Sequence, residues 1–335
     1  MFKERSRFDF AFIPAGPYRE TVDLIRRGEA LGYRCAWLPD QTFHRDPFVL
    51  LGLCAEATSE IGLGCGLTSP YTRLPVQIAR AAGVVDEVAG GRFILGLGTA
   101  NPKTVLAPLN ITLDRPIGRL RDAIGIIRRL LAGERVEYEG ASDMLNGVKL
   151  DFSPRPDIPI YIGTRGPQML KLAGEVADGV LVESLFNALP QVLEQVRSGA
   201  EKSGRSLRDV DVVAWQLVQV TDDVETAIAA QKSWIARSIS IGPYQAMRDV
   251  GIDETVIAGV SEAMARGDQE TAISRVTDDA VRCLMIIGNA TQVSERISRV
   301  FGSGADSLNL LLMGSMASMR ETLERFARDV MPAFR

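Results

Sequence analysis

The chain has a single histidine, His44, among 335 residues. Its four cysteines, Cys35, Cys54, Cys65 and Cys283, are scattered and form no CxxC pair. A metal centre is therefore short of ligands, and the cysteines read as reduced core thiols of a cytoplasmic protein. No serine sits in a GxSxG elbow, so a Ser–His–Asp hydrolase lacks its nucleophile. No GxGxxG follows the first strand-like run, where AFIPAGPY stands instead, which argues against a dinucleotide fingerprint. No basic tract is longer than an Arg-Arg pair such as Arg128-Arg129, and the formal net charge is −4. Nucleic-acid binding, which needs a positive face, is not expected. No apolar run approaches the roughly 20 residues of a membrane span, and MFKERSRFDF lacks the apolar core of a signal peptide.

What is present is a rhythm. Nearly half of the residues, 46%, are hydrophobic, so a sizeable core is available. Short β-type runs alternate with stretches at helical spacing. Strands are predicted at 8–14, 35–40, 61–67, 92–98, 159–165, 178–184, 210–220 and 307–313. Helices are predicted between them, and a last one at 318–330. The segment 134–157 breaks the rhythm as a small hairpin excursion. The segment 222–300 is far longer than a crossover needs and reads as a helical insertion between strands seven and eight. Eight strand–helix units predict an α/β fold, a (β/α)8 TIM barrel forming a single domain over 1–335. An open doubly wound sheet is the structural alternative.

In such a barrel the chemistry gathers at the carboxyl ends of the strands. Strand two is followed by Asp40, Gln41 and His44, strand three by Thr68, Ser69 and on to Arg73, and strand four by Asn101. Strand five leads into GTRGPQML, with Gly163, Thr164, Arg165 and Gly166. Free N–H groups at a helix start beside an arginine make an anion site. Strand six offers Glu183 and Ser184. The site is poor in strong acid–base groups, which suits an enzyme whose cofactor performs the hard step. One feature is odd: the third strand, LGCGLTSPYTRLP, carries Gly64 and Gly66, although glycine weakens a strand. In the insertion, SISIGPY breaks the helix and offers Tyr244 as a substrate-side residue.

These runs resemble the bacterial-luciferase-like superfamily of flavin and deazaflavin barrels. The resemblance rests on WLPDQTFHRD, GLTSPYTRLP, EVAGGRFILGLGTAN, PIYIGTRGPQMLKLAGEVADGVLVES and VTDDAVRCLMIIGNATQVSERI. Within the superfamily it points to the branch of methylenetetrahydromethanopterin reductases, which use coenzyme F420. It implies a cis peptide between Gly66 and Leu67, forming a bulge under the central ring, with small neighbours letting the backbone approach that ring. Thr68 and Ser69 would meet the ring edge, and Asp40 would bond the ring region with Gln41 and Asn101 nearby. His44 would donate a proton. The cofactor phosphate would lie near Thr164, Arg165 and Gly166. The expected activity is hydride transfer between the deazaflavin and a small organic substrate. FMN is the alternative cofactor, giving a two-component monooxygenase; Glu183 and Ser184 resemble a phosphate-contacting pair in the luciferases. A non-catalytic flavin-binding barrel is the third reading. A homodimer or higher homo-oligomer, packed through the helices after strands two and three, is implied as well. In the reductases the first strand bears a glutamate inside the barrel mouth; here Ala11 stands there, so their substrate is not implied.

Overall fold

A computed structural model describes residues 7–140, 144–183, 188–242 and 244–334. The barrel strands are β1 (Phe8–Ala11), β2 (Cys35–Leu38), β3 (Gly62–Thr68) and β4 (Phe93–Leu97). After a two-stranded hairpin, β5 (Val136–Glu139) and β6 (Met144–Val148), come β7 (Ile160–Gly163), β8 (Gly179–Glu183) and β9 (Asp211–Val220). Later in the chain lie β10 (Met285–Gly288) and β11 (Ser307–Leu311). The sheet runs β1-β2-β3-β4-β7-β8 and closes through β8–β9, β9–β11 and β11–β1, every pair parallel. This is the predicted eight-stranded closed barrel, not an open sheet.

Helices cover the outside: α1 (Tyr18–Ala30), α2 (Pro47–Glu56), α3 (Pro75–Val88), α4 (Pro116–Leu131), α5 (Pro167–Val176) and α6 (Leu189–Lys202). Then follow α7 (Val224–Ile241), α8 (Tyr244–Asp249), α9 (Glu254–Ala265), α10 (Gln269–Ser274), α11 (Asp278–Leu284), α12 (Ala290–Gly302) and α13 (Met316–Asp329). Each strand alternates between two cores. Phe8 and Phe10 face the helices, with Phe8 edge-on to Phe326 at 5.0 Å and Phe10 edge-on to Tyr33 at 5.2 Å. Ala11, Cys35, Trp37, Ile94, Tyr161, Leu181 and Val213 fill the barrel itself.

Two details differ from the sequence reading. The region 222–300 is not wholly helical. It contains β10, which adds in parallel to the far half of β9, from Met285 beside Leu217 to Gly288 beside Val220. Four apolar residues running straight out of α11 carry no period that separates strand from helix. The second arm of the hairpin also begins at Met144, four residues before the expected VKLDF, and Gly147 with φ +67° accompanies a register shift opposite Val136 and Tyr138.

The floor of the barrel is polar. Arg34 grips Asp9 with two bonds of 2.7 Å and reaches Asp211 at 3.0 Å. Tyr161 donates to Asp211 at 2.6 Å, and Trp37 Nε1 donates to Asp9 at 3.0 Å. Burial works against the Arg34 charge, yet the two carboxylates hold its pKa well above the ordinary arginine value. From this anchored position the Trp37 indole fills the barrel. A Cβ at Gly64 would stand 2.1 Å from it, and one at Gly66 would stand 2.9 Å from it and 3.2 Å from Trp215. The glycines of β3 are therefore required first by two indoles.

Gly64→Ala is expected to destabilise by about 1–3 kcal/mol through overpacking. Gly125→Ala, mid-α4 with nothing within 4 Å of the added methyl, should instead stabilise by about 0.5–1 kcal/mol. Urea unfolding of both variants checks the pair; equal effects would contradict the packing argument.

Candidate active site at the carboxyl ends of the strands

The end of β3 organises the mouth. The Gly66–Leu67 peptide is cis, as the resemblance implied. The pairing with β4 shifts register between Cys65 and Thr68. The Leu67 side chain then lies against the ends of β4 and β7. A Cβ at Gly163 would come within 2.2 Å of it, one at Gly98 within 2.8 Å and one at Gly96 within 3.0 Å. Three glycines thus let Leu67 sink into the strand ends as a half-buried shelf.

Asp40 stands beside this shelf. Its N–H donates to Leu67 O at 3.3 Å. Its Oδ2 accepts from Thr68 Oγ1 at 2.8 Å and from Arg73 Nε at 2.6 Å. Arg73 also donates through Nη2 to Asp46 Oδ2 at 2.8 Å, and its guanidinium lies 5.4 Å from the Phe48 ring. The other Asp46 oxygen caps α2 by accepting from Phe48 N and Val49 N. Burial alone would lower the Arg73 pKa, but its bonds to Asp40 and Asp46 raise it well above the usual value. Arg73 and Asp46 were not singled out from sequence. Their signal was weak: a basic residue ending a polar run, and a second aspartate six residues after the first.

The remaining sequence candidates divide. Ser69 is buried and its Oγ accepts from Tyr71 N at 3.2 Å. Thr68 gives its only hydroxyl proton to Asp40. Gln41 is half-buried in a tight turn, its carbonyl accepting from His44 N at 2.9 Å, and His44 itself is exposed. Asn101 Oδ1 caps the turn at Pro102–Leu106, accepting from Lys103 N and Thr104 N. Thr164 Oγ1 accepts from Gly166 N at 3.2 Å, and Gly166, the N-cap of α5, brings no side-chain cap to that helix. Arg165 is solvent-accessible, yet desolvation by its surroundings lowers its pKa. Glu183 ends β8 in register with Trp215; Ser184 lies outside the described residues. Tyr244 opens α8 and is 47% exposed. So the fold gathers Asp40, Gly66, Leu67, Thr68 and Gly163, while the side-chain oxygen of Asn101 serves as a cap. Among the described residues no group of three His, Cys, Asp or Glu side chains is set to hold a metal.

The model of the luciferase-like monooxygenase family matches residues 7–307. The chain belongs to this family. It is 34% identical to the 5,10-methylenetetrahydromethanopterin reductase of Archaeoglobus fulgidus over 89% of this chain and 91% of that protein. It is 30% identical to the enzyme of that name from Methanopyrus kandleri over 98% of both. The solved coenzyme F420-dependent tetrahydromethanopterin reductase of Methanopyrus kandleri superposes with a TM-score of 0.91 at 28% identity, covering 99% of this chain and 100% of that one.

The thiols of this family member are placed for packing. Cys35, Cys54 and Cys65 are buried, and burial pushes the Cys54 pKa up to about 12 and the other two well above the usual value. Cys283 is half-buried and is also raised by burial. A raised thiol pKa keeps the unreactive S–H form at pH 8. Native protein at pH 8 is therefore expected to release at most one equivalent of thiolate to Ellman's reagent, slowly, and four after denaturation. Fast reaction of two or more native thiols would contradict the placement.

Proposed function

We propose that the chain is an F420-dependent oxidoreductase, which moves a hydride between the deazaflavin and a small organic molecule. The observation that carries this reading is the near full-length match to methylenetetrahydromethanopterin reductases, one of them known in structure as F420-dependent. The residues of the mouth fit such a group on two grounds. Leu67 is recessed among glycines that place no side chain over the shelf, and α5 starts without a side-chain cap beside Arg165.

Gly66, Leu67 and the edge residue Ser69 would underlie the ring, and Asp40, Gln41 and Asn101 would border it. Gly163, Thr164, Arg165 and Gly166 would hold the phosphate, charge-assisted by Arg165 and by the N–H groups of α5. Bound there, the deazaflavin supplies the hydride for an electron-poor C=C, C=N or C=O. The protein's part is to position the reactants, exclude water and move a proton, with the exposed His44 imidazole as the proton donor. Tyr244 belongs to the substrate side. Its support is the insertion core built on Ile235, Ile257 and Ile287, against which Leu311 and Met313 at the end of β11 pack. Glu183 and Ser184 serve the phosphate only under the second reading, an FMN-dependent monooxygenase. Buried thiols suit a cytoplasmic protein.

The proposed assembly is a homodimer through α2 and α3. α2 is apolar on every side up to its last residue, Glu56: Phe48, Leu50 and Leu51 are buried while Val49 is 65% and Leu53 42% exposed. Neighbouring α3 exposes Val84 and Val88. A helix apolar all round is a buried helix.

Titration of the purified apoprotein with F420 and with FMN, followed by fluorescence, tests the cofactor. Saturable F420 binding is expected, and Arg165→Ala should weaken it by about 1.5–3 kcal/mol. FMN binding without F420 affinity would replace the first reading by the second. For the assembly, sedimentation should show twice the chain mass, and Val49→Asp with Val84→Asp should halve it. An unchanged mass in that double variant would remove α2 and α3 from the interface.

A further inference from the structure

We infer that Arg73 is a positioning residue, which acts through Asp40 by fixing that carboxylate as an acceptor with Oδ1 left for a hydrogen-bond donor of the bound ligand. The inference rests on the F420 reading above and adds to it the chemistry expected of one contact. Both bonds that Asp40 receives from protein side chains fall on the same oxygen, Oδ2: Thr68 Oγ1 at 2.8 Å and Arg73 Nε at 2.6 Å. No donor among the described residues bonds Oδ1, although the side chain is only 5% exposed. Oδ1 is therefore the acceptor of this side chain that is left for a ligand to meet. With Thr68 and Arg73 both donating to Oδ2, Oδ1 is the carboxylate oxygen placed to accept from a ligand. The ligand group that satisfies it is an N–H or O–H, such as the imide N–H on the pyrimidine edge of a deazaflavin or flavin.

Arg73 does two things, of which a lysine could do one. Its Nε and Nη2 bond two carboxylates at once, Asp40 on the loop after β2 and Asp46 at the start of α2. Its backbone N–H is tied to Ser69 O at 3.0 Å. A single ammonium can replace the charge opposite Asp40 while losing the fork to Asp46. That difference separates a role exerted through Asp40 from simple bridging of two loops.

The test is a double-mutant cycle read as the dissociation constant for F420, alongside melting temperatures. Asp40→Asn replaces an acceptor oxygen by a donor, and Arg73→Gln removes the charge. Each alone should weaken binding about tenfold, ~1.4 kcal/mol. The double variant should bind no more than about twofold worse than Asp40→Asn alone, because Arg73 then has no carboxylate to act through. Arg73→Lys should recover most of the affinity while melting as low as Arg73→Gln. Full additivity of the two losses, or an unchanged constant in Arg73→Gln, overturns the proposal and leaves Arg73 as a loop bridge. If the wild type binds FMN and not F420, the cofactor reading fails, and the same cycle read with FMN still decides the role of Arg73.

Discussion

Everything in the barrel depends on how one indole is accommodated. Trp37 is fully buried. Its N–H is fixed on Asp9 at the floor, and its ring reaches the level of Gly64 and Gly66. The Asp9–Arg34–Asp211 cluster beneath it is fully paired, which a buried set of charges requires, since an unpartnered charge there costs several kcal/mol. With Trp37 held from below, β3 cannot carry side chains on its inner face. Two glycines are what remain. The backbone weakness of that strand is the consequence of filling the barrel with a large aromatic group rather than with β-branched layers.

The same packing sets where a ligand can lie. Trp37 meets Trp215 at 6.2 Å and Tyr161 at 5.7 Å, and Leu67 closes over the glycines at the ends of β4 and β7. The interior is a packed core and not a channel, in keeping with barrels of this type. On the proposed reading the ligand lies over Leu67, between Asp40 and the start of α5. Asp40 gains its position from the chain on either side of it: its own N–H on Leu67, its carboxylate on Thr68 and Arg73. The shelf and its bordering carboxylate are therefore one unit, and a change to either is felt by both.

How much of this was readable beforehand follows from the range of each interaction. The eight strands were legible because parallel strands buried on both faces read as apolar runs between amphipathic helices. Asp40 was legible as a polar residue directly after a strand. Its partner Arg73 was not, because 33 residues separate them and only barrel closure brings the loops after β2 and β3 together. Gly64 and Gly66 were visible as an anomaly, while their cause was not: nothing local shows that Trp37 and Trp215 converge on them. Asn101 was legible as a polar residue after a strand, while the cap that its side-chain oxygen makes on the next turn was not. β10 was lost because four residues are too few to show a period.

The limit on naming a substrate has a physical origin in the same division. The parts proposed to hold the deazaflavin are built from backbone, glycine and a few paired charges, and these leave a regular trace in sequence. The proposed substrate side is the insertion, α7 to α11, whose core is a separate apolar cluster joined to the barrel at Leu217, Leu311 and Met313. Such a cluster constrains volume and hydrophobicity but not which polar atoms face the ligand. At the one interior position where the resemblance implied a carboxylate, the chain has Ala11, fully buried beside Trp37. A carboxylate buried there would need a paired cation or hydrogen-bond donors. Ala11 belongs instead to the apolar cluster of the barrel with Trp37, Ile94 and Tyr161.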